Sequence, residues 1–239
     1  MKFLASILLA PLPSIIWLSF YLRKDKHPEP NKLIIKIFLL GVLVVPLAGI
    51  LEQLFFLGTE KFSFLDKVIL IVIVFAFIEE LLKYLVVKFG ILKNPEFDEP
   101  IDAMIYMIIA GLGFAAAENI YLLSQIYPQG KYFLETLEFL TTRFLGATLL
   151  HALACGITGY FFAASLLMKS KMRKIFTMGG ILAATILHSI FNYIIILNSQ
   201  GEIDSMERNL YLIIILVSAA VIVSLMFKKA NKYRSICKI

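Results

Sequence analysis

Charge is scarce in this 239-residue chain: 17% of its residues are Asp, Glu, Lys or Arg, against about 25% in soluble domains. With 60% of the residues hydrophobic, that shortage excludes a soluble globular protein, a disordered tail and a basic nucleic-acid-binding domain. Cysteine is scarcer still. The two present, Cys155 in an apolar segment and Cys237 in a basic tail, exclude a disulfide framework. Cys237 stands third from the end, one short of the C-a-a-X spacing, so prenylation is not expected. No internal repeat is evident, so the inverted repeats of many secondary transporters find no support.

Long apolar runs are plentiful. A hydrocarbon core about 30 Å thick takes roughly 20 apolar residues of helix. Seven segments qualify: Phe3–Leu22, Leu33–Leu57, Val68–Val87, Ile101–Leu123, Phe144–Met168, Ile175–Leu197 and Leu210–Phe227. The first is long for the apolar core of a signal peptide, and its one small-residue site, Ala10, precedes Pro11. It is therefore read as a retained span. The expectation is an all-α polytopic membrane protein, one helical domain over residues 1–239 with a functional core at about 68–197.

The few charges sort by side. Loops on one side hold 15 of the 23 Lys and Arg residues, the other side holds 6, and Lys36 and Lys83 lie within spans. Cytoplasmic loops collect the excess, so the N-terminus is expected outside and the C-terminus inside. The net charge of +6 is thus a record of orientation. In the outer loop from Ser124 to Arg143, the residues Phe133, Leu134, Leu137 and Leu140 share a helical face, with Glu135, Glu138 and Thr142 opposite. That pattern predicts a short helix lying in the outer interface, either an ordinary loop helix or a gate.

The charges that do not sort are more informative, because ionisable side chains inside a bilayer are costly and by default functional. Glu79, Glu80 and Lys83 lie midway along the third segment, Glu118 in the fourth, His151 in the fifth and His188 in the sixth. Measured from the outer helix ends at 1.5 Å per residue, Glu118 is ~8 Å deep, His151 ~10 Å, His188 ~14 Å and Glu79 ~17 Å. Glu52, near the end of the second segment, is also at ~8 Å. A shared depth on separate helices suits one wet cavity.

Glu79 and Lys83 are four apart and Glu80 and Lys83 three apart, so all three can share a face. The Lys can neutralise one carboxylate and leave the other free to take a proton. His188 and Asn192 are likewise four apart. Three chemistries fit these residues. One is hydrolysis by carboxylate-activated water, with His and Asn donors for the oxyanion. Another is a zinc site, with Glu79, Glu118, His151 and His188 as candidate ligands. The third is a proton or ion pathway. A silent scaffold is the bland alternative. Arg143 reads as a residue snorkelling at the outer end of the fifth segment, Cys155 as a small packing residue, and Asp102 and Asn119 as orienting groups.

Four stretches resemble one family. FIEELLKYLVV from Phe77 resembles the E-E-x-x-K motif of the PrsW family of intramembrane proteases. DEPIDAMIYMIIAGLGFAAAENIYLL from Asp98 is similar to its second block, with F-x-x-x-E-N at Phe114, Glu118 and Asn119. RFLGATLLHALACGITGYFFA from Arg143 looks like the third, centred on His151 and Gly156, and LHSIFNY, with His188 and Asn192, the fourth. The blocks stand in order over about residues 77 to 193. The resemblance implies a prokaryotic plasma-membrane peptide hydrolase acting on membrane-anchored protein substrates near the outer leaflet, an anti-sigma factor or similar regulator among them. The composition and the sorted charges already leave no nucleic-acid partner expected. On that resemblance Glu79 is the expected general base with Glu80, paired to Lys83, in support, or the two carboxylates exchange these roles, and Glu118 is a water-orienting group or ligand. His188 and Asn192 are the oxyanion donors, and His151 completes the set. The related CAAX-processing proteases carry His where this chain has Glu118. The group is described both as metalloproteases and as metal-free glutamate proteases, so the cofactor is zinc or none.

Overall fold

The computed structural model describes residues 8–24, 27–61, 64–126 and 133–233. The start of the first expected span, the loop residues 127–132 and Cys237 lie outside the described residues. Among the described residues the chain is helical, without strands. The helices are α1 (Leu12–Leu22), α2 (Asn31–Leu57), α3 (Phe64–Gly90), α4 (Pro100–Ile126), α5 (Phe133–Leu145), α6 (Ala147–Leu166), α7 (Ser170–Ser199) and α8 (Ser205–Ala230), with a 3-10 turn at Gly58–Lys61 between α2 and α3.

Helix starts follow local chemistry. Pro100 opens α4, where a missing N–H costs nothing, and the Asp102 carboxylate accepts from the backbone N–H groups of Asp98 and Glu99 at 3.0 and 2.8 Å. Asp102 thus anchors the start of α4. At α8, Asp204 accepts from the N–H of Met206 and Glu207 while Glu207 accepts from the N–H of Asp204. Such a capping box contributes about 1 kcal/mol.

Five helical stretches are long and apolar enough to cross a membrane: Asn31–Leu57, Pro100–Gln125, Leu134–Leu166, Ser170–Ser199 and Ser205–Ala230. Leu12–Leu22 is apolar but shorter. The α3 helix has 27 residues, yet every 18-residue window of it holds at least three charged residues. The side chains that mark α3 as functional are the ones that lower its apolarity. The expected short helix of the outer loop exists as α5. It runs on into α6 through one break at Gly146 (φ −103°, ψ −104°). Part of its apolar face is left open, as a helix lying in a membrane interface would have it. Thr136 and Leu140 are buried, while Leu134 and Leu137 are exposed.

The layering follows burial. In α4, 94% of the apolar window is buried, against 22% in α2 and in α8, so α4 is central and the other two are peripheral. α6 packs along α4, and α3 and α7 close the site side. Small residues set these distances. A Cβ on Gly159 would stand 2.6 Å from the Cα of Met104, so α6 meets the backbone of α4 there. Gly159→Ala is expected to destabilise the protein by about 1–3 kcal/mol through overpacking, read as a lower unfolding midpoint in detergent. α2 and α4 cross in the same way, with Gly41 against the carbonyl of Ala110 and Gly113 against the carbonyl of Phe38. Beyond that crossing, nothing lies within 4 Å of a Cβ placed on Gly49, and a space opens between the two helices.

Candidate active site

The site begins with one turn of α3. Lys83 is fully buried and its ammonium has three N–H donors. Three acceptors meet them: Glu79 Oε2 at 3.1 Å, Glu80 Oε1 at 2.8 Å and His151 Nδ1 at 2.8 Å. The ring of Phe114 lies 4.3 Å from the same nitrogen, a cation–π contact that adds to its stabilisation. An ammonium can only donate, so His151 accepts at Nδ1 and carries its proton at Nε2, a tautomer assigned from this network. His151 Nε2 then donates to Glu118 Oε2 at 2.8 Å.

His188 enters from α7. Its Nδ1 donates to Glu80 Oε1 at 3.0 Å, and its Nε2 lies 3.9 Å from Glu79 Oε2. The imidazoles of His151 and His188 meet edge to face, with ring centroids 5.1 Å apart. Cys155 Sγ lies 3.9 Å from Glu80 Oε2 and fills space beside the cluster. Glu80 is therefore enclosed, held by an ammonium and an imidazole. Glu79 is held at Oε2 alone, and no hydrogen bond reaches its Oε1 among the described residues.

The outer edge is built by α4 and α5. Arg143 donates through Nη2 to Glu118 Oε2 at 2.9 Å and through Nε to Asn119 Oδ1 at 2.5 Å. Asn119 is fully buried and donates from Nδ2 to Thr148 Oγ1 at 3.2 Å and to the carbonyl of Ala10 at 3.3 Å. A continuous path of polar contacts thus runs Arg143–Glu118–His151–Lys83–Glu80–His188 across five helices. Each buried charge in it is paired, as burial at low dielectric demands.

A cavity of about 910 Å³ adjoins this network in the space beyond the α2–α4 crossing. Val42, Val45, Pro46, Phe114 and Leu122 give it apolar walls. Three carboxylates line it: Glu52 from α2, Glu79 from α3 and Glu118 from α4. Glu80 is not among its lining residues, so the two neighbouring glutamates of α3 differ in access.

The structure brings together Glu79, Glu80, Lys83, Glu118, His151 and His188. Asn192, one turn beyond His188, makes no hydrogen bond to the cluster among the described residues. The donor atoms of Glu79, Glu80, His151 and His188 all lie within 4.8 Å of one another. This differs from the expected ligand set by one member. Glu80 takes the place of Glu118, which binds the far nitrogen of His151 instead. Two carboxylates and two imidazoles are donors that zinc accepts. The two carboxylates match the charge of such an ion when both imidazoles are neutral, so the donor types fit it, although the Lys83 ammonium already holds one acceptor each of Glu79, Glu80 and His151. Sequence reasoning undervalued Arg143. Its signal was register, because Thr136, Leu140 and Arg143 follow at i, i+4 and i+7 and place the guanidinium on the packed face of α5.

Known proteins resemble this chain over most of its length. The family described as "PrsW family intramembrane metalloprotease" matches residues 29–225. "Protease PrsW" of Geobacillus kaustophilus is 30% identical over 186 residues, which cover 77% of this chain and 76% of that protein. The protein of the same name from Oceanobacillus iheyensis is 31% identical over 184 residues, 77% of this chain and 79% of its own. That of Bacillus subtilis is 29% identical over 189 residues, 77% and 79%. No solved structure matches the chain significantly. The chain belongs to the PrsW family and is an intramembrane peptide hydrolase, which favours neither the transporter nor the silent scaffold.

Proposed function

With membership of the PrsW family as premise, we propose that the chain hydrolyses a peptide bond of a membrane-anchored protein bound in the α2–α4 cavity, with Glu79 as the general base. The observation that carries this is the different access of the two α3 carboxylates. Glu79 lines the cavity with one oxygen tied to Lys83 and the other unengaged, whereas Glu80 is sealed in. Glu118 shares the same cavity and has the same one-oxygen tether.

A water between Glu79 and Glu118 loses a proton to Glu79 as its oxygen attacks the scissile carbonyl carbon. Glu118 orients that water. His188, donating from Nε2 as an imidazolium, stabilises the oxyanion beside Glu79. Protonated Glu79 then passes the proton to the amide nitrogen, the C–N bond breaks, and a carboxylic acid and an amine form, the acid's proton passing to the amine so that a carboxylate and an ammonium leave. Lys83, itself held by Glu80, fixes the Glu79 carboxylate in place. Zinc would be held by Glu79, Glu80, His151 and His188, and when bound it would polarise the carbonyl or the water. Metal analysis tests that set. Zinc retained by the wild type and lost from both Glu80→Gln and His188→Ala is the expected result; zinc retained by all three places the ion elsewhere.

In the bilayer we place seven spans, the N-terminus outside, the C-terminus in the cytoplasm, and the cavity in the outer half. The distribution of Lys and Arg supports this. The substrate is accordingly a single-span protein cut near its outer membrane edge, with membrane-anchored regulators of the anti-sigma type as the class that the resemblance suggests. Purified protein mixed with single-span test substrates is expected to release one fragment pair cut at that edge. Cleavage that survives Glu79→Gln, Glu80→Gln, Glu118→Gln and His188→Ala alike would overturn the reading.

A further inference from the structure

We propose that Arg143 is a positioning residue of the hydrolase site: from α5 it holds Glu118 in the orientation that fixes the tautomer of His151 and presents the second Glu118 oxygen to the cavity. The inference rests on the function proposed above and goes beyond it in giving the interfacial helix a part in the chemistry.

Geometry carries the inference. Arg143 forks across two consecutive residues of α4, with Nη2 on Glu118 Oε2 at 2.9 Å and Nε on Asn119 Oδ1 at 2.5 Å. Asn119 is itself clamped by Thr148 and the Ala10 carbonyl, so the guanidinium plane has little freedom. The same Glu118 oxygen accepts from His151 Nε2 at 2.8 Å. One oxygen thus takes two donors, and the other makes no hydrogen bond to the protein among the described residues. Since Glu118 lines the cavity, its Oε1 is the oxygen available to a water there. Without the guanidinium, Oε2 keeps His151 alone, and the carboxylate is free to rotate or to turn wholly into the cavity.

The consequence extends to Lys83. A proton on His151 Nε2 leaves Nδ1 bare, and Nδ1 is the third acceptor of the Lys83 ammonium, 2.8 Å away. If Glu118 turns away, His151 loses the acceptor that selects this tautomer, and the other tautomer would aim an N–H at the ammonium. Arg143 therefore acts on Glu79 through Glu118, His151 and Lys83 and touches no reacting atom. Trp17 holds the neighbouring turn, donating from Nε1 to the Phe144 carbonyl at 2.9 Å and stacking on Phe144 at 5.1 Å. This turn of α5 is thus seated against α1 as well as α4.

The test compares Arg143→Ala, Arg143→Lys, Glu118→Gln and the Arg143→Ala/Glu118→Gln double variant in steady-state cleavage of a single-span fluorogenic substrate. Arg143→Ala is expected to lower kcat by about tenfold to a hundredfold, the range for lost supporting contacts, with KM within about twofold. Millimolar guanidinium ion is expected to restore part of that loss, and Arg143→Lys to fall between the wild type and Arg143→Ala. The double variant is expected to be no worse than Glu118→Gln, because both changes break one unit. Wild-type kcat in Arg143→Ala, a loss confined to KM, no response to guanidinium, or losses that multiply in the double variant would each overturn the proposal.

A readout without turnover separates this inference from the protease reading. The chain has three histidines, so ¹⁵N imidazole spectra of the labelled protein are tractable. The expected spectrum has His151 protonated at Nε2 in the wild type and mixed or reversed in Arg143→Ala. Unchanged His151 signals would overturn the positioning role even where no substrate is cleaved. A tautomer shift in Arg143→Ala, beside a wild type that cleaves no single-span substrate, would overturn the protease reading instead.

Discussion

Glu79→Gln is expected to lower kcat for peptide cleavage by about 10²–10⁴-fold, the usual contribution of a positioned general base, with little change in folding. The amide carbonyl can still accept from the Lys83 ammonium, which keeps its other two acceptors, Glu80 and His151. What is lost is the oxygen facing the cavity that takes the proton from water. Glu80→Gln is expected to behave differently. Glu80 lies outside the cavity lining and is bound by both Lys83 and His188. Its loss should appear mainly in stability and in the placement of His188. Unfolding midpoints and kcat measured on both variants separate these roles.

Lys83→Met is expected to cost about 3–5 kcal/mol of stability, the range for removing one partner of a buried ion pair. The ammonium is fully enclosed, and its removal leaves Glu79 and Glu80, one of them beyond the reach of water, as neighbouring carboxylates with His188 as their one adjacent cation among the described residues. The methionine also leaves His151 Nδ1 unpaired. Because the cost is charge left uncompensated, Lys83→Met/Glu80→Gln is expected to recover a large part of it. A double variant no more stable than Lys83→Met would show that packing rather than charge is what Lys83 supplies. Thermal unfolding in detergent, followed by helical circular dichroism, makes the comparison.

Much of this site was legible in the chain because its strongest signals are local. The spacing of Glu79, Glu80 and Lys83 follows from 3.6 residues per turn, and the helix realises it as drawn. His151 and His188 stood out because imidazoles in apolar runs are costly. What was hidden depends on how helices far apart in sequence rotate against one another. Lys83 and His151 are 68 residues apart, and Glu80 and His188 are 108 apart. No periodicity reveals that Glu80 rather than Glu118 faces the paired imidazoles. Asn192 illustrates the limit from the other side. Its spacing of four from His188 holds on the helix, yet the side chain makes no hydrogen bond to the cluster among the described residues. Arg143 was hidden because an arginine at a helix end ordinarily reaches for water, and only the approach of α5 to α4 turns it inward. The span count was blurred for a physical reason too, since the charges of the site lower the apolarity of the helix that carries them.

The central claim is that substrate lies in the α2–α4 cavity with its scissile bond at Glu79. The most direct test is photo-crosslinking from the cavity wall. Tyr121 lines the cavity and can be replaced by p-benzoylphenylalanine in a Glu79→Gln background, which binds substrate without cutting it. Irradiation with a single-span substrate, followed by mass mapping, is predicted to join the probe within a few residues of the bond that the wild type cleaves. Crosslinks absent from that stretch, in a protein whose Glu79-intact counterpart with the same probe cleaves the substrate normally, would contradict the account.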